Sequence, residues 1–491
     1  MKLNLLIQTL KEKNVIGPEE VRINDICQDS RQVREGDLFA ALPGTKTDGH
    51  LFVREVVEKK AAAVLFQKGC LEDWEVVDEY KETTTFIEVP NAAQALGILV
   101  HARYGHPSEK LTLIGITGTN GKTTAATLLH RLFNKMGYKS GLLSTIANYV
   151  GEETEPASLT TPDILTTNRL LSNMVEQGCV YCFMEVSSHA IDQQRVAGLH
   201  FAGGIFTNLT HDHLDYHQTF AAYRDTKKSF FDALPTRAFA LVNTDDRNGN
   251  VMTQNTRSRI YTYACRRKAD FTARILEHSA DGMELMINGI HVWSPLIGVH
   301  NMYNLLSVYA CARLLDQPAE EILRVLSSLT TVSGRMEYVR GGKNLTAVVD
   351  YAHTPDALQN ALITLRDLLI PGQQLICVVG CGGNRDTTKR PLMAQVADKY
   401  ADVCVFTSDN PRFEDPEIIL DHMFAGLSPE RQNKCLRITD RFQAIKTAVK
   451  LAGNEALILV AGKGHETYQD IKGVKKHFDD KEILTELLKT G

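Results

Sequence analysis

The segment Gly115-Ile-Thr-Gly-Thr-Asn-Gly-Lys-Thr123 carries the residue types that a phosphate-binding turn needs. Its glycines let backbone amides turn inward toward phosphate oxygens. Lys122 supplies a point charge for the terminal phosphates, and Thr123 offers a hydroxyl to magnesium. The spacing departs from G-x-x-x-x-G-K-[ST], because the first glycine would fall at Ile116 and an extra one stands at Gly118. ATP binding is the chemistry this turn predicts. Further on, Glu185 ends the apolar run CVYCFMEV (179–186), a place from which a carboxylate could join Thr123 in holding magnesium or could cap the next helix. The run HDHLDYH (211–217) admits two readings. It could be the binuclear zinc site of a metallohydrolase, but such enzymes do not need a phosphate loop, and magnesium with ATP accounts for both features.

These residues must be positioned by strand–loop–helix units. LTLIGIT, from Leu111, runs directly into the glycine-rich turn and then into the helical pattern AATLLHRLFNKMG. CVYCFMEV, GGIFTNL and RAFALVN read as further strands ending in turns. From SGRMEY (333–338) the pattern restarts with LTAVVDYA, LICVVGCGG, DVCVFTSDNPR and ALILVAGKG, each separated by a helix. Ligands of open α/β sheets bind beyond the carboxyl ends of the strands, where these runs place small and charged residues. Before residue 105, DLFAAL, AAAVLF and TTFIEV are shorter strands, and GHPSEK (105–110) is a turn suited to a boundary. The expected fold is α/β in three domains: 1–107, a central parallel-sheet phosphate-loop ATPase domain at 108–333, and a doubly wound Rossmann-like domain at 334–491.

A length of 491 residues suits about three domains of ordinary size. With 43% hydrophobic and 23% charged residues the chain is globular in composition. A net charge of −5 without basic runs argues against coating nucleic acid or anionic membrane. MKLNLLIQTLKEKN is charged too early for a signal peptide and reads as the start of an amphipathic helix, and no later run is apolar enough for membrane insertion. The ten cysteines are scattered, mostly in apolar stretches, so a reducing cytoplasm is the expected compartment. Cys179 and Cys182 have C-x-x-C spacing but no second pair, and read as core residues.

The form T-G-T-N-G-K-T resembles that of the Mur ligases and their folylpolyglutamate synthetase relatives. The family's other motifs follow in order: DSR (29–31), TTP (160–162), MEVSSHAIDQQR (184–195), TNLTHDHLDYH (207–217), the lysine of YRDTK at 227, HNMYN (300–304), SGRMEYV (333–339), DYAHTPD (350–356), GCGGNRD (380–386), DNPR (409–412) and GKGHE (462–466). MEVSSHAIDQQRV, DNPR and GKGHE are most similar to the members that add the third residue of the bacterial wall peptide. The resemblance therefore implies ATP-dependent joining of meso-2,6-diaminopimelate to UDP-N-acetylmuramoyl-L-alanyl-D-glutamate through an acyl phosphate, and a place in peptidoglycan synthesis, cell shape and division. It implies a cytoplasmic enzyme, expected as a monomer, whose partners are these small molecules and whose cofactor is Mg2+. Both chemical steps develop charge on oxygen, so the metal and fixed cations are the main resource.

Carried over by motif position, Gly118, Thr119, Asn120, Gly121, Lys122 and Thr123 would bind ATP together with Asn301, Arg335 and Asp350. Ser30, Thr160, Thr161, Ser187, Gln193 and Arg195 resemble the residues that hold the UDP-sugar peptide. Thr123, Glu185, His213 and Lys227 resemble the metal set, with Lys227 as a carbamate made from carbon dioxide, since an ammonium would repel magnesium. Lys122, Lys227, Glu185, His213 and His353 are the expected catalytic residues. Arg385, Asp409, Asn410, Pro411, Arg412, Gly462 and Glu466 resemble the diaminopimelate site. In the family, the D-N-P-R form accompanies diaminopimelate, and enzymes adding L-lysine differ at the arginine. A guanidinium grips the distal carboxylate and repels lysine's bare ammonium. With the phosphate loop in the middle domain and Arg335 and Asp350 in the last, closure would assemble the site and exclude water from the acyl phosphate. The same reaction with L-lysine, another Mur or folylpolyglutamate-type ligase, and an ATP-hydrolysing motor without bond-forming chemistry stay open as alternatives. Arg412 could also be engaged in a surface ion pair with Glu414 or Asp415.

Overall fold

Strands that are apolar on both faces, such as Ala63–Gln67 and Glu455–Ala461, are satisfied only by a sheet covered on both sides, and helices cover them here. The computed structural model describes residues 1–44, 47–279, 281–341, 344–453 and 455–489. The chain divides into two units: Met1–Gly115 with Tyr138–Gly204 and Ala233–Ala238, and Ile116–Gly137 with Ile205–Asp232 and Phe239–Gly491.

In the first unit a five-stranded sheet has the order Asn14–Ile16, Thr85–Val89, Ala63–Gln67, Leu38–Ala40, Ile26–Cys27, parallel except for its first pair. Alternation along the strands sorts the core. Val64, Phe66 and Phe86 pack with Val53, Val56 and Val76 of two short helices, while Ala63, Leu65 and Ile87 face the helix Ala92–Arg103 and Leu3 and Leu6 near the N-terminus. The amphipathic start expected there is a helix of five residues, Leu3–Ile7. Elsewhere in this unit Tyr181–Glu185 pairs in parallel with Ser140–Leu143, whose other edge continues into the antiparallel strands Ala147–Val150 and Glu153–Pro156. Cys179 and Cys182 are buried free thiols. The helix Ile164–Glu176 begins at Asp163, whose carboxylate accepts from the Thr166 amide.

In the second unit the helix Lys122–Lys135 packs against the almost wholly buried helix Val299–Leu314. Phe239–Asn243, Arg259–Ala264 and Phe271–Ser279 run parallel, and Gly282–Ile287 and Ile290–Ser294 add an antiparallel hairpin that the sequence reading did not anticipate. A six-stranded sheet follows, in the order Glu337–Arg340, Asn344–Asp350, Glu455–Ala461, Gln374–Val379, Val403–Phe406, Leu436–Arg437, parallel except for its first pair. Val348, Cys377 and Leu459 pack on one face with Leu362, Met393 and Leu420, and Ala347, Ile376 and Ile458 pack on the other with Ile445 and Leu484. This is the expected doubly wound arrangement. The carboxyl ends of its strands carry DYAHTPD, GCGGNRD, TSDNPR and GKGHE. Among the described residues no helix is long and apolar enough to cross a membrane.

One ion pair fixes the last helices on this sheet. Arg441 Nη2 lies 2.7 Å from Asp480 Oδ2, its Nε donates to Asp480 Oδ1 at 2.9 Å, and Nη2 also donates to the Ala461 carbonyl at 3.0 Å. Asp480 is fully buried and Arg441 nearly so. Removing one partner strands the other charge in the core, so Asp480→Ala should cost about 3–5 kcal/mol. Urea unfolding of the purified variant checks this, and a loss below about 1 kcal/mol would show that the pair does not hold the helices.

Candidate active site

The turn after the strand Thr112–Thr117 needs a backbone that L side chains rarely adopt: Gly118 has φ +148° and Gly121 φ +89°. A Cβ at Gly118 would lie 1.9 Å from Thr207 Oγ1 and 3.0 Å from the Asn208 carbonyl. Those neighbours also hold the turn. Thr207 Oγ1 donates to the Asn120 carbonyl at 2.7 Å, Asn208 Oδ1 accepts from the Asn120 amide at 2.9 Å, and the Thr119 amide donates to the Asn208 carbonyl at 2.8 Å. Lys122 Nζ folds back onto the carbonyls of Gly118 and Thr119, both at 2.8 Å. The extra glycine of the sequence pattern is thus the point where the turn passes closest to the next loop.

Beside the turn a cleft of about 330 Å³ is lined by Asn120, Gly121, Asn301, Arg335 and Asp350, all expected nucleotide residues, together with Thr124 and Asp356. Arg335 reaches the turn directly. Its Nη2 donates to Thr123 Oγ1 at 3.2 Å, and its guanidinium lies over the Tyr351 ring, 4.7 Å from the centroid. Asn120 Nδ2 donates to Asp356 Oδ2 at 3.0 Å. Asn301 Nδ2 donates to the Ile297 carbonyl at 2.8 Å, and its Oδ1 accepts from Asn304. Asp350 accepts from the Met336 amide at 2.7 Å, yet burial raises its carboxyl above the ordinary range despite Arg335. Asn208, Asn304 and Asp356 were missed as site residues although TNL, HNMYN and DYAHTPD contain them. Asp245, Asp246 and Tyr263 in the lining carried no recognised signal.

Lys227 is 1% exposed. Its Nζ lies 3.0 Å from the Gly118 carbonyl and 3.4 Å from Thr117 Oγ1, and sits 5.0 Å from the centre of the Tyr223 ring. Burial, and then the nearby Lys122, hold the amine well below the ordinary lysine range. His213 adopts φ 55° and its Nε2 lies 3.4 Å from Asp212 Oδ2. Burial pushes the Asp212 carboxyl up, but His213, His353 and Lys389 outweigh it and bring it to about 2. Burial, followed by Lys389, lowers His353 to about 4, and its Nδ1 lies 2.8 Å from the Tyr351 carbonyl. His211 lies 3.8 Å from Asp386, and His217 packs against the Tyr223 ring. The His213 ring also lies beside Tyr223, 6.0 Å between centroids. Among the described residues the groups with metal-ligand geometry are His101, His106 and Glu109, and Asp398, Cys404 and Cys435.

The first unit holds the other expected set. Glu185 is fully buried and its Oε1 accepts from the Thr145 amide at 2.7 Å. It does not cap the next helix, because Ser187 does so by accepting from the Ala190 amide. Thr161 Oγ1 donates to the Glu185 carbonyl at 2.8 Å and accepts from the Ser187 amide at 3.1 Å. Arg195 Nη1 donates to the Thr161 carbonyl at 3.1 Å and its Nε to Gln193 Oε1 at 3.0 Å, while Thr160 Oγ1 accepts from Thr145 at 3.1 Å. Thr160, Thr161, Ser187, Gln193 and Arg195, linked through Thr145 and Glu185, form one network around the end of the strand Tyr181–Glu185. Ser30 is buried apart from them, its carbonyl accepting from Lys59 Nζ at 2.9 Å.

At the carboxyl edge of the six-stranded sheet, Asn410 Nδ2 donates to Glu466 Oε2 at 2.7 Å and Asn410 Oδ1 accepts from the Asp470 amide at 2.9 Å. Gly462 has φ +114°, and a Cβ there would lie 2.5 Å from Asp409 Oδ2. Burial and then Asp409 raise the Glu466 carboxyl against the pull of Lys463. Arg412 stands at φ 53°, its amide donating to the Asp470 carbonyl at 3.0 Å and its Nη1 to the Gly383 carbonyl at 2.7 Å. Pro411 before it is buried, and Arg385 is exposed. The ion pair considered for Arg412 is absent among the described residues: Glu414 lies 2.9 Å from buried Arg390, and Asp415 caps the helix Pro416–Phe424.

Three family models match the chain: "Mur ligase family, catalytic domain" at residues 22–104, "Mur ligase middle domain" at 116–312, and "Mur ligase, glutamate ligase domain" at 334–464. A protein of Parabacteroides distasonis named UDP-N-acetylmuramoyl-L-alanyl-D-glutamate--2,6-diaminopimelate ligase is 52% identical over 490 residues, covering 100% of this chain and 99% of that protein. A protein of the same name from Clostridioides difficile is 39% identical, with 99% of each covered. A solved structure of a ligase of that name superposes with a TM-score of 0.68 at 29% identity, over 98% of both chains. Similarity of this extent, at both the sequence and the structural level, makes the chain a member of the Mur ligase family.

Proposed function

We propose that the chain joins the D-glutamate carboxylate of UDP-N-acetylmuramoyl-L-alanyl-D-glutamate to meso-2,6-diaminopimelate, converting ATP to ADP and phosphate, in the cytoplasm. The name shared by its full-length relatives supports this reading. The observation that carries it is Arg412, whose guanidinium is oriented by the Gly383 carbonyl and has no carboxylate partner among the described residues. In the reaction the substrate carboxylate takes the terminal phosphoryl group and ADP leaves. The amine of the amino acid then attacks the acyl carbon, and phosphate departs as the amide forms. The division at 1–107, 108–333 and 334–491 is part of the proposal, supported by the three separate model matches.

The turn at 118–123 would cradle the phosphates, with Lys122 released from its loop carbonyls and Arg335 supplying a second cation. Asn301 and Asp350 line the cleft where a nucleoside would lie. Magnesium takes hard oxygen donors, and the Thr123 hydroxyl and the buried Glu185 carboxylate are of that kind, with His213 as a further ligand. When bound, the metal would neutralise charge on phosphoryl oxygens. Lys227 fits only after modification. Its burial and lowered affinity for protons favour the neutral amine, whose lone pair adds to carbon dioxide to give a carbamate with release of one proton. The Thr160, Thr161, Ser187, Gln193 and Arg195 network would receive the sugar peptide, and Ser30 the uridine side. Arg385, Asp409, Asn410 and Glu466 would complete the amino-acid site.

Lys122→Ala should abolish product formation while leaving the thermal midpoint close to that of the parent, because the residue follows a loop turn whose carbonyls it bonds and its charge is needed by phosphate. Unchanged turnover with ATP would remove the phosphate-loop assignment. Lys227→Ala should be nearly inactive and partly restored by a short added carboxylate that enters the vacated space. Activity like the parent's without any additive would make Lys227 a structural cation. Loss of two charge-assisted bonds in Arg412→Ala should cost about 2–4 kcal/mol in transition-state binding of diaminopimelate, or tens- to several-hundredfold in kcat/KM. Direct competition between diaminopimelate and L-lysine on the unaltered enzyme tests the reading itself, and preference for lysine would refute it.

A further inference from the structure

A cluster in the first unit lies outside both sites described above. His101 is near the end of the helix Ala92–Arg103, His106 and Glu109 follow in the turn, and His200 comes from the stretch after Gly198. Glu109 Oε1 lies 3.3 Å from His106 Nδ1, 3.4 Å from His200 Nδ1 and 3.8 Å from His101 Nε2. His106 reaches this place through a left-handed backbone, φ 57°. His101 is 3% exposed, and its orientation is fixed from behind. Its Nδ1 lies 3.1 Å from Asn168 Oδ1, and the Asn168 amide is itself set by donation from Nδ2 to the Ile164 carbonyl at 2.9 Å. Nδ1 therefore carries the proton, and the Nε2 lone pair faces Ser108 and Glu109. Ser108 Oγ, 3.2 Å from Nε2, accepts from the His200 amide at 2.8 Å, which leaves its hydroxyl proton to cover that lone pair.

We propose that His101, His106 and Glu109 form a binding site for a divalent late transition metal, with Zn2+ the best chemical fit and His200 hydrogen-bonded to Glu109 beside it. Bonds of about 2.0–2.1 Å in a tetrahedron place neighbouring ligand atoms roughly 3.3–3.5 Å apart, and one ligand atom from each of the three side chains lies within 4.8 Å of the others, with His106 Nδ1 at 3.3 Å and His101 Nε2 at 3.8 Å from Glu109 Oε1. Two imidazoles with one carboxylate suit zinc, nickel or cobalt and not the hard cations magnesium or calcium. The Asn168 contact behind His101 is the outer-shell hydrogen bond that metal-bound histidines typically make. A purely hydrogen-bonded cluster accounts for His106 and His200 as donors to Glu109. It satisfies His101 Nε2 through the Ser108 hydroxyl, but leaves that acceptor 3.8 Å from the Glu109 carboxylate with no proton between them. Three protein ligands leave the fourth position to water, and the ion would tie the end of the helix Ala92–Arg103 to the turn at 105–110. The side chains of His106, Glu109 and His200 are 46%, 48% and 58% exposed, which gives the ion a path in from solvent.

The test is titration of the full-length, chelator-treated protein with Co2+ in excess Mg2+, followed by Zn2+ competition. One equivalent of Co2+ should give the intense visible bands of tetrahedral coordination, Zn2+ should displace it, and the thermal midpoint should rise. His106→Asn, which retains the left-handed backbone, combined with His200→Ala should weaken binding by about 10–100-fold and remove the bands. Glu109→Gln should act in the same direction. Because all three side chains are half exposed, metal-free variants should melt close to the parent. Unchanged spectra and affinity in these variants, or only weak octahedral bands in the parent, would overturn the site.

Discussion

A backbone that must turn several amide groups toward one point cannot keep every residue at negative φ, and this constraint shapes the second unit. Gly118 and Gly121 supply the positive φ values, but freedom alone would leave the turn floppy. Thr207 and Asn208, from the next loop, bind the Asn120 and Thr119 backbone and so convert a permissive segment into a fixed one. The space they occupy is the space a Cβ at Gly118 would require. Arg335 can then be aimed at Thr123 from a distant part of the chain because both ends are held, one by the turn and the other by stacking on Tyr351.

Around that turn, similar groups are driven in opposite directions by their surroundings. Asp212 and Asp350 are both buried carboxylates. Asp212 has His213, His353 and Lys389 near it and stays ionised to about pH 2, whereas Asp350 has Arg335 and two amides, too little to offset its burial. Lys227 shows the same logic for a cation: with Lys122 nearby and only Asp212 in opposition, removal from water dominates. The result is a set of groups whose proton affinities are displaced, in opposite directions, from those they would have in water. Such sets are characteristic of reactive sites more than of structural ones.

The parallel sheets were legible because buried strands leave continuous apolar runs with glycine or charge at their ends, as in LTLIGIT and ALILVAGKG. The antiparallel strands at 271–294 were not, since half their residues face solvent and the runs are diluted by Arg274, Glu277 and His291. One signal there went unused. Asn288 and Gly289 have φ 47° and 83°, as a two-residue hairpin turn requires, and Asn-Gly between apolar runs is the strongest short-range mark of one. The similar turn at Lys472 and Gly473 carries a weaker mark, because lysine has no preference for positive φ. Loop motifs placed Asn120, Gly121, Asn301, Arg335 and Asp350 around one cleft. Asp245 and Tyr263 entered its lining by strand order, which no local pattern encodes.

Arg412 shows why proximity in sequence is a poor guide to charge pairing. Glu414 is two residues away, but the turn takes Arg412 into the left-handed region, at a cost of about 1–2 kcal/mol for a non-glycine residue. Hydrogen bonds on both sides offset that cost, from the Arg412 amide to the Asp470 carbonyl and from the Lys472 amide to the Arg412 carbonyl. The side chain is thereby carried to the Gly383 carbonyl. Gly383 must be glycine, because a Cβ would lie 1.9 Å from the Pro411 carbonyl. Glu414 meanwhile is held by Arg390, a fully buried arginine that would be an uncompensated charge without it. The buried arginine needs the carboxylate more than a half-buried one does, so Arg390 keeps Glu414 and the Arg412 guanidinium has no carboxylate partner among the described residues.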